Sequence, residues 1–294
     1  MISFRTDLAE ELRTHAMGDG GNELTGIRFS ERIEDDIRIS TVDIVDEMGE
    51  KDLGRPKGRY VTMTFGGEET LFGGGFFTLC DKLAREIRTL VGEVKSILVL
   101  GLGNSALSAD AVGVIAASHV PATRHLKKED AAWFKTSGLF DISALLPSEA
   151  AKMGIETFSL VQFAVKDLRP DAVIAVDSLA ARDSARLLRT IQLADTGIIP
   201  GSGIRRGREA LNEKTLGVPV LAIGVPTVVD TSTLLSDALR KAGFSSDFAD
   251  PTGGMHVCPT NIDVVAERLG CLIGSAIGRA FHAALSYEEL FLMH

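Results

Sequence analysis

Three stretches of the chain are almost purely aliphatic: Ile97 to Leu100, the segment between Asp171 and Asp177 (Ala-Val-Ile-Ala-Val), and Val218 to Ile223. Runs of this kind, short and without polar alternation, are expected of strands covered on both faces, as in parallel sheets. Between them the pattern changes to helical spacing. Leu79, Leu83, Ile87 and Leu90 recur across residues 77–92, and further helices are expected over 158–168, about 229–242 and 262–285. Residues 37–44 and 60–65 carry β-forming side chains joined through Gly49, Gly54, Pro56 and Gly58, the pattern of antiparallel strands with a loop between them. The fold class that follows is α/β: a three-layer α/β/α sandwich with a mainly parallel central sheet, plus a smaller antiparallel β subdomain at about 26–66. Residues 1–25, polar and glycine-rich, read as a mobile N-terminal segment with a first short helix, and 26–294 as one domain. A helix carrying Arg182, Arg186 and Arg189 is expected directly after Asp177. Residues 196–203 read as a turn-rich strand or loop, and 123–147 offer no firm element.

Composition narrows the function classes. The chain of 294 residues is 45% hydrophobic and 24% charged, enough to bury a large core. Its formal net charge is -9, and no basic cluster is longer than Arg205, Arg206 and Arg208, so direct nucleic-acid binding is not expected. No stretch has the length and apolarity of a membrane span, and Met-Ile-Ser-Phe-Arg-Thr-Asp has no signal-peptide core, which gives a cytoplasmic expectation with no membrane partner. Cys80, Cys258 and Cys271 have neither the number nor the spacing of a disulfide framework or a zinc site.

The candidate chemistry lies just past the aliphatic runs. After Leu100, Gly101-Leu-Gly103-Asn104 makes a tight turn, Ser108 is placed to cap a helix, and Asp110 falls in that helix's first turn. Asp177 ends the second aliphatic run. In open α/β sheets the carboxyl ends of the strands line the ligand crevice, so both aspartates can face one cleft. Two carboxylates there can share a proton, one activating water while the other donates to the substrate carbonyl. The plainer alternative is that each aspartate only caps a helix. Gly101-x-Gly103-x-x-Ala106 formally fits a dinucleotide fingerprint, but no acid-terminated strand follows at the required distance, so an oxidoreductase is the weaker reading. Ser202, in Pro-Gly-Ser-Gly, lacks a nucleophile elbow and reads as a turn whose amides can donate to a carbonyl. Asp195, in Asp-Thr-Gly, reads first as a turn residue. His125 or His256 together with Asp110 and Asp177 would make a carboxylate/imidazole metal site, an alternative in which a divalent ion takes part.

Many phrases of the chain resemble one family in one order: Arg5-Thr-Asp-Leu-Ala9, Gly101-Leu-Gly-Asn104, Asp110-Ala-Val-Gly113, Thr123-Arg-His-Leu126, Leu179-Ala-Ala-Arg182, Asp195-Thr-Gly-Ile198, Pro200-Gly-Ser-Gly203 and Ala222-Ile-Gly-Val-Pro-Thr-Val-Val-Asp230. The family is the germination proteases of spore-forming bacteria, whose fold is similar to that of hydrogenase-maturation endopeptidases. The resemblance implies an atypical aspartic endopeptidase of the spore interior, a homotetramer acting on small acid-soluble spore proteins without cofactor or metal. It assigns catalysis to Asp110 and Asp177; Asn104, His125, Asp195 and Ser202 are kept as possible supporting residues, and the alternative is a metal-dependent maturation-type endopeptidase with Asp110, Asp177 and a histidine as ligands. It also implies a zymogen. Family target sites resemble an acidic residue, a large apolar residue, alanine, a variable position and Glu, and Asp7-Leu8-Ala9-Glu10-Glu11 has that form, so self-cleavage is expected between Asp7 and Leu8.

Overall fold

The computed structural model describes residues 6–18, 24–148, 154–200, 209–244 and 254–293. In chain order these form α1 (Ala9–Met17), the hairpin β1 (Ile27–Glu34) and β2 (Ile37–Ile44), α2 (Glu47–Leu53) and β3 (Gly58–Thr64). Next come α3 (Glu68–Phe72), α4 (Gly75–Val91), β4 (Ser96–Gly101), a 3-10 turn (Ser108–Asp110), α5 (Val112–Ser118), α6 (Arg124–Glu129) and α7 (Ala131–Ser137). They are followed by β5 (Asp141–Leu145), α8 (Thr157–Leu168), β6 (Ala172–Ala181), a second 3-10 turn (Ser184–Arg186) and β7 (Thr190–Ala194). The last elements are α9 (Glu213–Leu216), β8 (Val220–Asp230), α10 (Thr231–Lys241), β9 (His256–Val257), α11 (Ile262–Phe281) and α12 (Tyr287–Phe291). No described helix is long and apolar enough to cross a membrane.

The described strands form one sheet in the order β1-β2-β3-β7-β8-β6-β4-β5, with β9 added to β8. Strands β5, β4, β6 and β8 are parallel, and β7, β3, β2 and β1 continue from β8 in antiparallel pairs. The antiparallel strands of residues 26–66 are therefore an extension of the central sheet, joined to it by β3 against β7. Alternation along each strand feeds two cores. Ile97, Val99, Ile174, Val176 and Ile223 pack under α4, α5 and α11, while Leu98, Leu100, Val173 and Ala175 pack under α8 through Val161 and Val165. Helices on both faces of a mixed sheet give the α/β sandwich that the hydrophobic pattern predicts.

Four expectations change. Strand β6 does not stop at Asp177, because Leu179 and Ala181 keep the alternation and the ladder with β8 continues to Ala181. The expected helix after Asp177 is instead the end of this strand, a 3-10 turn and β7, which puts Arg182, Arg186 and Arg189 in loops and turns. Strand β8 likewise runs through Gly224 and Pro226, since Pro226 lies at the register shift between Leu179 and Ala180, where a missing N–H costs the ladder little. Finally, residues 6–11, expected to be mobile, are packed into the molecule: Leu8 and Ala9 are 0% exposed.

Candidate active site

The turn that carries Asp110 is built by close backbone packing. Gly103 has φ +108°, and a Cβ there would lie 2.0 Å from the Asp110 carbonyl oxygen. That oxygen accepts the Asn104 N–H at 2.8 Å, while the Asp110 N–H donates to Leu107 O at 2.7 Å. Ser108 does not cap a helix. It opens the 3-10 turn, and α5 begins two residues after Asp110 with Ala111 at its N-cap and no side-chain cap. Gly113 then lies flat on the sheet, where a Cβ would be 2.2 Å from Val176 O and 2.3 Å from Leu102 O. The turn's α-carbons come within 8 Å of those of β6 and β8, and the Thr227 hydroxyl of β8 donates to Ala109 O at 2.6 Å, which sets Asp110 beside the later half of β8. The glycines of the apparent dinucleotide fingerprint thus serve contacts of the chain with itself: a Cβ on Gly101 would meet Gly113, Ala117 and Leu146.

Asp177 follows Val176, whose carbonyl oxygen accepts the Leu102 N–H at 2.8 Å beneath that turn. It is 3% exposed, and its Oδ1 accepts the Ser178 N–H at 3.0 Å. The ladder sets it in one lateral row, Asp177 opposite Gly224 and Gly224 opposite Gln192. Lateral neighbours project to the same side of a sheet, and adjacent strands are about 4.8 Å apart, so Asp177 and Gln192 flank Gly224 across roughly 10 Å. Gly224 has no side chain, and that space is taken by Leu179.

Onto this row comes the N-terminal segment. The Asp7 N–H donates to Ala180 O at 2.8 Å, and the Ala180 N–H donates to Asp7 Oδ2 at 2.9 Å. Arg55 donates to Asp7 Oδ1 at 3.2 Å and to Thr6 O at 3.1 Å. Gln192 Nε2 donates to Asp7 O at 3.1 Å, and its Oε1 accepts the Ala9 N–H at 2.7 Å. Leu8 enters an apolar pocket of Leu179, Ala181, Leu187 and Val229. The Glu11 carboxylate accepts the N–H groups of Arg182 at 2.8 Å and Asp183 at 3.0 Å, together with the Thr6 hydroxyl. Glu10 meets Arg38 at 2.7 Å, Arg186 at 3.1 Å and Ser40 at 2.9 Å. Burial alone would raise the Glu10 carboxyl, but the hydrogen bonds and charge of Arg186, with Arg38 and Ser40, hold it below the ordinary value. Asp7, Leu179, Gln192 and Gly224 line a cavity of about 120 Å³ that also reaches Tyr60, Ile198 and Asn212.

The remaining sequence candidates are dispersed. Asn104 braces the Asp110 turn, its Oδ1 accepting the Ala106 N–H at 3.1 Å. His125 is exposed on α6, which is tied to the amino-terminal start of β5 by Arg124 and Lys127 against Asp141, the end of the sheet opposite Asp110. His256 pairs with Asp230, six residues along β8 from Gly224. Asp195 closes a turn with β3, accepting the Arg59 N–H at 2.8 Å, and burial raises its carboxyl. Because β7 runs against β8, Asp195 lies toward the amino end of β8, away from Asp177. Ser202 lies outside the described residues. Among the described residues no group of three His, Cys, Asp or Glu side chains is arranged to hold a metal ion. Sequence reasoning missed Arg55 and Gln192. Gln192 sits in a strand that the aliphatic pattern does not announce, and only its contacts give it away.

The germination protease family matches residues 5–242. A germination protease of Clostridium perfringens is 33% identical over 322 aligned positions, covering 99% of this chain and 98% of that protein. One from Caldanaerobacter subterraneus subsp. tengcongensis is 37% identical over 326 positions, with coverage of 99% and 98%. One from Oceanobacillus iheyensis is 41% identical over 250 positions, 81% of this chain and 67% of that protein. Among solved structures, the NiFe hydrogenase maturation protease HycI from Thermococcus kodakarensis matches with a TM-score of 0.33 at 18% identity, covering 65% of this chain and 98% of that one.

Proposed function

Because this chain belongs to the germination protease family, we propose that it is an endopeptidase made as a zymogen, which cuts its own Asp7–Leu8 bond and then starts the breakdown of small acid-soluble spore proteins during germination. Asp110 and Asp177 are its acid/base pair. One carboxylate takes a proton from the attacking water and later passes it to the leaving amide nitrogen, while the other, protonated, donates to the carbonyl oxygen and recovers that proton as the tetrahedral intermediate collapses. The reading includes assembly as a homotetramer in the spore interior.

The observation that carries this reading is the seat of residues 6–11. An Asp–Leu peptide bond is held against the end of β6, three residues from Asp177, with its carbonyl oxygen already accepting a hydrogen bond. The seat is chemically selective. Donors from Arg55 and Ala180 receive the acidic side chain, an apolar pocket receives Leu8, and two backbone N–H groups receive Glu11. An acidic residue, a large apolar residue and a Glu three positions further on are the features expected of the family's targets. The test is digestion of a small acid-soluble spore protein by Asp110→Asn and Asp177→Asn, prepared separately. Each is expected to lose about 10²- to 10⁴-fold in rate, the range for removing a general acid or base. Undiminished cleavage by either variant would overturn the assignment.

A further inference from the structure

Two-carboxylate hydrolysis makes no use of Gln192, yet its side chain touches the main chain on both sides of the Asp7–Leu8 bond. Nε2 donates to Asp7 O at 3.1 Å, and Oε1 accepts the Ala9 N–H at 2.7 Å. A side-chain amide presents an NH₂ donor group and a carbonyl acceptor in one plane, so it satisfies the pair of groups that a neighbouring strand would. These contacts involve no side chain of the bound segment, and they therefore suit any extended peptide. The amide is also well anchored: Gln192 is 7% exposed, and its backbone is fixed in β7 between Thr62 of β3 and Gly224 of β8. Across Gly224 in the same row is Asp177. The peptide plane is held from its other side too, since the Leu8 N–H donates to the Thr6 hydroxyl at 3.0 Å. A neutral donor on the carbonyl oxygen of the bond to be cut stands where negative charge develops as water adds.

We propose that Gln192 is the main-chain clamp of the cleft. It grips the carbonyl oxygen of the scissile bond and the N–H two residues downstream, first in the enzyme's own N-terminal segment and then in its protein substrates. Gln192 gives up no proton in the reaction. Its N–H strengthens its hold as the carbonyl oxygen gains charge, while proton transfer stays with the carboxylates. The inference rests on reading Asp7–Leu8 as the self-cleavage bond.

The experiment follows the full chain by intact mass for the product that begins at Leu8, and in parallel follows digestion of a small acid-soluble spore protein. Gln192→Met keeps the shape and removes both hydrogen bonds, and is expected to slow both reactions about a hundredfold, the scale of losing an oxyanion donor. Gln192→Glu keeps the acceptor for the downstream N–H but donates only when protonated. Its rate relative to wild type at the same pH is expected to fall as pH rises from about 4 to about 6, the window in which a glutamate ionises. Thermal unfolding at each pH separates these effects from misfolding, and the glutamate series decides the matter if the methionine variant does not fold. Folded variants that cut as fast as wild type, or a glutamate-to-wild-type ratio that is flat with pH, overturn the clamp alone. A wild-type chain that cuts neither bond nor substrate overturns the underlying reading and the clamp with it.

Discussion

Replacing Glu11 tests how the N-terminal segment is held. Its carboxylate is 6% exposed and accepts the N–H groups of Arg182 at 2.8 Å and Asp183 at 3.0 Å, with Arg186 at 3.7 Å beside it. Hydrogen bonds to a charged group contribute about 1.5–3 kcal/mol each, and a buried N–H left without a partner costs about 1–3 kcal/mol. Glu11→Ala removes the acceptor from both donors at once. With water entering the vacated space and recovering part of the loss, the seat of α1 weakens by about 3 kcal/mol, a little over a hundredfold in its opening equilibrium. Glu11→Gln keeps one acceptor oxygen but turns an NH₂ toward the second donor, so it loses about 2 kcal/mol. Hydrogen exchange read by mass spectrometry reports this directly, because the first α1 amide bond, Leu12 N–H to Leu8 O at 3.1 Å, opens with the seat. Amides of α1 are expected to exchange about a hundredfold faster in Glu11→Ala, while those of β4 and β6 keep their protection. Unchanged protection of α1 would refute the claim that these contacts hold the segment in place.

Gly113→Ala introduces a Cβ 2.2 Å from Val176 O and 2.3 Å from Leu102 O, both backbone atoms. The start of α5 must lift, so the variant is expected to lose about 1–3 kcal/mol, seen as a fall of several degrees in the unfolding midpoint. Cleavage is expected to fall further than stability, because the Asp110 turn is displaced, and equal kcat/KM in the folded variant would contradict that placement. Glu10 gives a pH signature. Its folded value lies below the ordinary 4.5, so its stabilisation is complete above that value and is lost as pH falls through the depressed one. The wild-type unfolding midpoint is expected to drop more steeply below about pH 4.5 than that of Glu10→Gln. Parallel slopes would show that this carboxylate does not hold α1.

The parts of the fold visible in the sequence are those dictated by burial alone. The aliphatic runs at Ile97–Leu100, 172–176 and 218–223 mark three parallel strands, and the spacing of Leu79, Leu83 and Ile87 marks α4. Strands β1 and β7 were not legible. Ile-Arg-Phe-Ser-Glu-Arg-Ile-Glu is polar because β1 is an exposed edge strand, and Thr-Ile-Gln-Leu-Ala is too short to declare itself before its neighbours are known. The same holds for the site. Asp110 and Asp177 stood out because they follow strand-like runs, although Asp177 proves to lie within its strand. Arg55 and Gln192 come from segments 137 residues apart and meet only through the docking of residues 6–9, a contact that no spacing along the chain encodes.

The central claim is that Asp110 and Asp177 act on the Asp7–Leu8 bond. The direct measurement is N-terminal sequencing of the full chain after incubation, for wild type and for each Asp→Asn variant. Release of residues 1–7 from wild type, leaving Leu8 as the first residue, with both variants intact, is the predicted result. A wild-type cut at any other bond, or a new Leu8 terminus appearing as fast in either variant, would contradict it.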